Sequence, residues 1–371
     1  MNSMYDNLKV PKYVQLKELI KKQIEEGNLP PDSKLRSYTD LVKEYGTSEI
    51  TVRKAISDLI VEGYVYAVQG KGTFVAARKA QHLTIALIMP HLYSSNDAGY
   101  VHDASHITPL IRYAEDETRN SDGNIILYLD EDNPEKEREN LQNALNRLVD
   151  GIILMPLGGQ RNIDCIQRIQ EAGIPIVLID RYLEGIYTHY VTTDNIAGAY
   201  QATKHLLSTG LEKIFFISGG RTFTSSTDRL RGYKMAMDER GLYSDSLVLH
   251  TNAISRGSDI ENESYELAGN IARSAYRPFG LFADNNAVML GAWRRLEDEN
   301  IDPDKYALAC FDRPSPSLFT GKLAVGVEQK QEEIARTSVK IIMESLSGGN
   351  EIRRITISPK MIISTQKEAV S

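Results

Sequence analysis

Apolar residues recur at helical spacing near the start of the chain. Leu16, Leu19, Ile20 and Ile24 predict a helix from about Tyr13 to Glu26, ended by Gly27 and barred from continuing by Pro30-Pro31. A short helix is expected over Tyr38–Tyr45, stopped by Gly46. Ser48 then caps a third helix, whose apolar side is drawn from Ile50, Val52, Ala55, Ile56, Leu59 and Ile60. Gly63 ends that helix. Tyr64 to Val68 reads as a strand, Gln69-Gly70-Lys71-Gly72 as a tight tip, and Thr73 to Val75 as the returning strand. Three helices and a hairpin wing, with a tight turn between the second and third helices, make the helix-turn-helix arrangement. That arrangement lays its second helix in the DNA major groove.

Beyond residue 83 the pattern changes. Apolar runs fall at regular intervals: Ile85–Met89, Ile125–Leu129, Gly151–Met155, Ile174–Ile179, Ile214–Ile217, Gly280–Ala283 and Ala307–Phe311. Helical patterns separate them, as at Glu137–Leu148, Asn195–Leu207 and Asn286–Glu297. Alternating strand and helix predicts doubly wound parallel sheets, and the number of units exceeds one sheet. The expected class is therefore α/β: a winged helix-turn-helix domain over 1–77, a polar linker over 78–83 around Arg78-Lys79-Ala80-Gln81, and a two-lobed domain over 84–371. Folds of this kind bind ligands beyond the carboxyl ends of their strands. Asp180 and Arg181, Asn285, and Asp312 and Arg313 each follow such a strand. Carboxylates, an amide and guanidinium groups there suit the vicinal hydroxyls of a sugar or similar polyol. Each could instead cap the next helix.

Charge sharpens the division. Residues 1–83 carry 13 Lys and Arg against 10 Asp and Glu, whereas the remainder carries 30 against 40. A basic head on an acidic body fits a nucleic-acid module joined to something else. The 2 cysteines, Cys165 and Cys310, have no metal or redox spacing and read as reduced packing residues of a cytoplasmic protein. No apolar run is long enough for a membrane helix, so no membrane partner is expected.

Enzyme readings fare poorly. Gly70-Lys71-Gly72-Thr73 suggests a phosphate-binding loop, but Lys71 is followed by Gly72 rather than Ser or Thr, and Gly63 lies too far upstream. Val75 occupies the third position of a dinucleotide fingerprint, where Gly or Ala is needed. No nucleophile elbow, His-Glu-x-x-His or Cys-x-x-Cys occurs. No catalytic residue, cofactor or metal is expected. The stretch from Pro90 to Pro109, with His91, Tyr93, Tyr100, His102, Asp103 and His106, reads as a long loop that either lines the cleft or lies on the surface. Trp293 is expected at a core or dimer seam.

The head's motifs are specific. Pro11-Lys12-Tyr13, Gly27-Asn28-Leu29-Pro30-Pro31, Ser37, Thr51-Val52-Arg53-Lys54-Ala55, Leu59, Glu62-Gly63 and Gln69 to Val75 together resemble the winged helix-turn-helix of GntR-type bacterial regulators. The resemblance implies double-stranded operator DNA as a partner. The DNA-contact candidates are Arg36, Ser37, Ser48, Thr51, Arg53, Lys54, Lys71 and Gly72. Gly72 would allow close backbone approach to the minor groove, and Lys71 would pair with a phosphate. Two stretches depart from the family pattern. Leu35-Arg36-Ser37-Tyr38 stands where the family has Leu-Pro-Ser-Glu, and Thr47-Ser48-Glu49 where it has Val-Ser-Arg. Glu49 could accept from cytosine N4, and Arg36 could supply a replacement cation.

The body resembles the effector domain of LacI/GalR-type repressors, itself like periplasmic sugar-binding proteins. The carrying residues are Val149 to Ile153, Ile174 to Arg181, Asp194-Asn195 with Gly198-Ala199, His205-Leu206 with Gly210, Arg229 to Tyr233, and Phe311-Asp312. A GntR-type head on such a body is similar to the arabinose repressors of Gram-positive bacteria. The resemblance implies an effector site of Asp180, Ser225, Arg229, Asn285 and Asp312: Asp180 lining the cleft, Arg229 gripping sugar hydroxyls with Ser225 one turn earlier, and Asp312 closing over the ligand. Asn285 matches the first member of the family's Asn-Asp pair, whose second member is Asn286 here. The expected protein is a homodimeric repressor of carbohydrate-utilisation genes whose small-molecule effector, a sugar, closes the lobes and respaces two DNA-binding heads. A purine or other corepressor acting on the same fold is the alternative, with an α/β enzyme behind it.

Overall fold

A computed structural model describes residues 11–25, 27–61, 63–68, 70–76, 83–90, 94–95, 101–102, 107–219, 223–252, 257–274, 276–312 and 323–363. The chain divides into two compact units, residues 1–82 and 83–371.

The first unit contains α1 (Lys12–Glu25), α2 (Tyr38–Tyr45), α3 (Glu49–Val61), β1 (Val65–Val68) and β2 (Gly72–Val75). Its core gathers Leu16, Ile20, Leu35, Leu41, Val52, Ala55, Ile56, Leu59, Val65 and Val75. Ser37 caps α2, and Gly46 closes it in the left-handed conformation that glycine adopts without strain. Ser48 accepts from the Thr51 amide at the head of α3. The strands pair antiparallel with Val68 opposite Gly72. Leu19, Ile50 and Ile60 are not core residues: they are 45, 80 and 39% exposed. Ile50 lies two residues before Val52, about 200° round the helix, so the third helix's apolar face is narrower than a count of apolar residues suggests.

The second unit continues with β3 (Leu83–Met89), the short strands β4 (Ser94–Ser95) and β5 (Val101–His102), α4 (Ile107–Asn120), β6 (Gly123–Leu129), α5 (Pro134–Asn146), β7 (Gly151–Leu154), α6 (Ile163–Glu171), β8 (Ile176–Ile179) and β9 (His189–Thr193). Then come α7 (Asn195–Ser208), β10 (Ile214–Ser218), α8 (Thr224–Asp238), β11 (Val248–His250), α9 (Gly257–Ala272), β12 (Phe279–Ala283), α10 (Asn286–Asp298), β13 (Tyr306–Phe311), β14 (Leu323–Glu328), α11 (Gln331–Leu346), β15 (Arg354–Ile357) and β16 (Lys360–Ile363). Pro109 belongs to α4, so the long loop expected up to that proline is shorter. His91, Tyr93, Tyr100, Asp103, His106 and the His102 side chain lie outside the described residues, as do the linker 78–81, Gln69 and Arg313.

Two six-stranded sheets form two lobes, ordered β6-β3-β7-β8-β9-β15 and β11-β10-β12-β13-β14-β16. Every pairing within them is parallel except β14 with β16. The first five strands of each sheet follow one winding order. In both, the order reverses beside the lobe's first strand, where doubly wound folds open their binding crevice. The chain passes between the lobes three times: from β9 to α7, from β14 to α11, and from β15 to β16. The last crossing separates two strands only a few residues apart in sequence. Lobe two is tight where α7 meets α8. A Cβ on Gly232 would run into the Ile196 carbonyl oxygen, so only glycine fits at that crossing. Trp293, on α10, packs half-buried against this lobe's core.

Candidate effector cleft and DNA-contact surface

Two aspartates occupy matching places in the two lobes. Asp180 follows β8 and Asp312 follows β13, each the fourth strand of its lobe's winding order. Both are buried and both take left-handed backbone angles, φ 64° and 66°. Such angles strain a residue with a Cβ and persist where the surroundings impose them, often at functional sites. The turn they produce sets each carboxylate at a strand's carboxyl end.

Arg229 is the centre of the lobe-two side. It lies on α8 and is 4% exposed. Its Nε donates to Asn195 Oδ1 at 2.8 Å, its Nη1 donates to the Asp284 carbonyl at 2.7 Å, and its guanidinium sits 3.8 Å from the Phe311 ring centroid. These contacts leave Nη2 uncommitted among the described residues. Ser225 and Ser226 lie buried one turn earlier. That turn is already helical, since α8 begins at Thr224.

Asn285 caps α10 by accepting from the Val288 amide at 3.0 Å, and its Nδ2 donates to Asp284 Oδ1 at 2.9 Å. Asp284 itself is fully buried. Its carboxylate also accepts from Ser218 Oγ and the Gly219 amide, and burial holds its carboxyl above the usual carboxylate range. Sequence signals did not mark this residue, because its burial comes from the ends of β10 and β12 meeting. Nor did they mark Gln329, and Asn195 stood out only as a helix start and a carrier of the family resemblance, with no site role. Gln329 Nε2 donates to Asp312 Oδ1 at 2.6 Å, while Thr193 Oγ1 donates to Gln329 Oε1 at 2.5 Å. Asn195 Nδ2 donates to the Thr193 carbonyl at 3.1 Å. Thr193 and Asn195 flank the first crossing between the lobes, and Gln329 lies on the second. The Asp194 amide, on the first crossing, donates to the carbonyl of Ile357, which ends β15 before the third.

On the lobe-one side Arg181 pairs with Asp180 at 3.0 Å, donates to the Pro156 carbonyl, and stacks 3.9 Å from the Phe223 ring centroid of lobe two. Next to it the Tyr182 amide donates to Thr224 Oγ1 at 3.0 Å, and Tyr182 Oη donates to Asp228. Burial and then the Asp228 carboxylate push the Tyr182 hydroxyl up to about 12. Deeper in lobe one, Glu137 accepts from Asn162 and from the Leu157 amide. Burial and then Glu137 raise the carboxyl of nearby Asp130 to about 8, and Asp130 Oδ2 is buried without a hydrogen bond among the described residues. Arg229 and Asn285 thus both bond to Asp284, Asp312 follows the Phe311 ring on which Arg229 stacks, and Ser225 lies one turn before Arg229, while Asp180 pairs with Arg181 against Phe223 of lobe two. The arrangement offers paired donors and acceptors beside aromatic rings, which suits hydroxyl groups on a compact ring.

In the head, the DNA candidates fall at three places, the start of α2, α3 and the wing. Arg53 pairs with Glu49 at 2.6 Å and lies 5.1 Å from the Tyr38 ring centroid. Lys54 lies 4.2 Å from the Tyr13 centroid. Ser48 and Thr51 exchange a hydroxyl contact at 2.9 Å, Ser37 is spent on capping α2, and Arg36 pairs with Glu44 at 2.9 Å. Lys71 and Gly72 stand on the wing, Gly72 with φ 115°.

Comparison with known proteins follows this division. Residues 12–75 match the gntR family of bacterial regulatory proteins, and residues 100–351 match the periplasmic binding protein domain. The arabinose metabolism transcriptional repressor of Halalkalibacterium halodurans is 28% identical, with 95% of each chain covered. The transcriptional repressor PurR of Haemophilus influenzae is 24% identical over 70% of this chain and 77% of its own. A LacI family regulator from Enterococcus faecium, solved with bound ribose, superposes with a TM-score of 0.61 at 21% identity, covering 78% of this chain and all of its own. The chain belongs to the periplasmic binding protein domain family, carried here behind a DNA-binding head of the gntR family of bacterial regulators.

Proposed function

We propose that this protein is a cytoplasmic, homodimeric repressor of carbohydrate-utilisation genes, not an enzyme, and that a monosaccharide-sized polyol releases it from its operator. One observation carries the mechanism: both candidate ligand-gripping residues of lobe two are hydrogen-bonded to residues at the lobe crossings. Arg229 holds Asn195, and Asp312 holds Gln329, which holds Thr193. A ligand that engages the Arg229 guanidinium and the Asp312 carboxylate from within the cleft pulls on those crossings directly. Asp180 and Arg181 supply the opposing wall, so hydroxyls bridging both sides favour one relative setting of the lobes. A ligand shifts an equilibrium only by its differential affinity for the two settings, and contacts made from both lobes provide it. In a dimer, that setting fixes the spacing of two heads, and half-site spacing governs operator affinity.

The sugar class is supported by the site's neutral balance of two guanidinium groups against two carboxylates, and by the names of the arabinose metabolism repressors that resemble this chain, one of them over 95% of its length. A purine corepressor is the second reading, favoured only by the PurR relatives. Thermal shift of the full chain against L-arabinose, ribose, myo-inositol, hypoxanthine and guanine separates them. A rise with a sugar or inositol alone supports the proposal. A rise with the purines alone replaces it.

A further inference from the structure

Helix α3 buries Val52, Ala55, Ile56 and Leu59, each at most 1% exposed. At 100° per residue, the side farthest from that core carries Ile50, Arg53, Lys54 and Ser57. The last three are polar and exposed. Ile50 is not polar, yet it is 80% exposed, among the highest values of any large apolar residue described. It contributes nothing to the head's core, and it sits in the first turn of the helix that the fold aims into the major groove. Its immediate neighbour Glu49 is engaged with Arg53. The leading turn therefore presents an ion pair and, beside it, a bare branched alkyl group.

In the major groove the base edges offer hydrogen-bonding groups and a single kind of apolar group, the thymine C5-methyl. An exposed isoleucine entering that groove desolvates without loss only against such a methyl. We propose that Ile50 is a specificity-determining residue that reads a thymine methyl in each operator half-site. The inference rests on the head's DNA-binding role and goes further by assigning one residue to one chemical group. It gives the start of this helix a means of discriminating sequence by shape and apolar contact.

The operator is first selected by the protein itself. The full-length chain is used to enrich duplexes from a random-sequence pool, and the enriched duplex is then resynthesised with deoxyuridine replacing each thymidine in turn. Binding is measured by fluorescence anisotropy at about 0.15 M salt. Wild-type protein should lose about fourfold in affinity at one thymine per half-site, the worth of one buried methyl group. Ile50→Ala should show no loss at that thymine while keeping the wild-type melting temperature, because the side chain is not part of the core. Methyl sensitivity at no position overturns the inference, as does sensitivity that persists unchanged in Ile50→Ala. Failure to enrich any sequence would overturn the DNA-binding role and this inference with it.

Discussion

Replacing Arg229 by alanine tests the cleft where it is most tightly built. The guanidinium forks between Asn195 Oδ1 and the Asp284 carbonyl and stacks on Phe311, all within a site 4% exposed. Truncation leaves two buried acceptors without a donor, at about 1–3 kcal/mol each, and removes a desolvated cation–π contact worth about 2 kcal/mol. These terms overlap, so a loss of about 3–5 kcal/mol in the second unit is expected, seen as a melting transition lowered by about 6–15 °C. The same truncation removes the Nη2 donor offered to ligand and loosens Asn195 at the first crossing. Ligand-induced stabilisation should therefore vanish even where the variant remains folded. Operator affinity should stay within about twofold, because the head folds on its own core of Leu16, Ile20, Val52, Ala55 and their neighbours. Arg229→Lys keeps the charge but not the fork, and should recover part of the stability with little of the response. Calorimetry with and without ligand, beside anisotropy on the operator, reads all three quantities. A variant with normal ligand-driven stabilisation would refute the placement of Arg229 at the ligand.

Three further outcomes are expected. Arg53→Ala should weaken operator binding by about 1–3 kcal/mol and lower the slope of log affinity against log salt by about one, and an unchanged slope would remove Arg53 from the phosphates. Gly72→Val should reduce operator affinity with the rest of the head intact, since φ 115° disfavours a β-branched residue and its Cβ would crowd Lys34 Cε at 2.8 Å; normal binding with normal melting would end the role given to the wing. Asp130→Asn bears on pH. Burial raises this carboxyl from 3.8 to about 8 in the folded chain, so the folded state holds a proton that the unfolded state has released between those values. Stability therefore falls as pH rises through that window, by up to about 1.4 kcal/mol per unit, and the asparagine variant escapes the loss. Its advantage should grow from pH 4 to pH 8 and then level off. Melting curves that stay parallel across that range would contradict this.

Much of the fold was legible because periodicity and turn chemistry are local. The head's helices and wing, the strand-end aspartates and the alternation of strand and helix all appear where hydrophobic period and glycine placement put them. Ile50 was misassigned because counting apolar residues ignores phase, and two residues' rotation turns a core position into an exposed one. The site roles of Gln329, Asn195 and Asp284 escaped notice for a different reason. Their roles come from the chain's passage between lobes and from strand ends meeting, and no local pattern records either. The split of Arg354–Ile357 and Lys360–Ile363 between different sheets is likewise a property of topology. Arg229 was found through family resemblance and Asp312 from its place at a strand end, and their bonds to the lobe crossings became visible only in three dimensions.

The central claim is that a sugar bound between the lobes changes the grip of the heads on DNA. Its most direct test is a titration of the full-length protein on its enriched operator duplex with L-arabinose, ribose and myo-inositol, followed by fluorescence anisotropy. At least one of these should lower operator affinity about tenfold or more at saturation, a coupling of about 1.4 kcal/mol, and should do so in wild type but not in Arg229→Ala. An affinity untouched by all three while a purine strengthens binding would contradict the account.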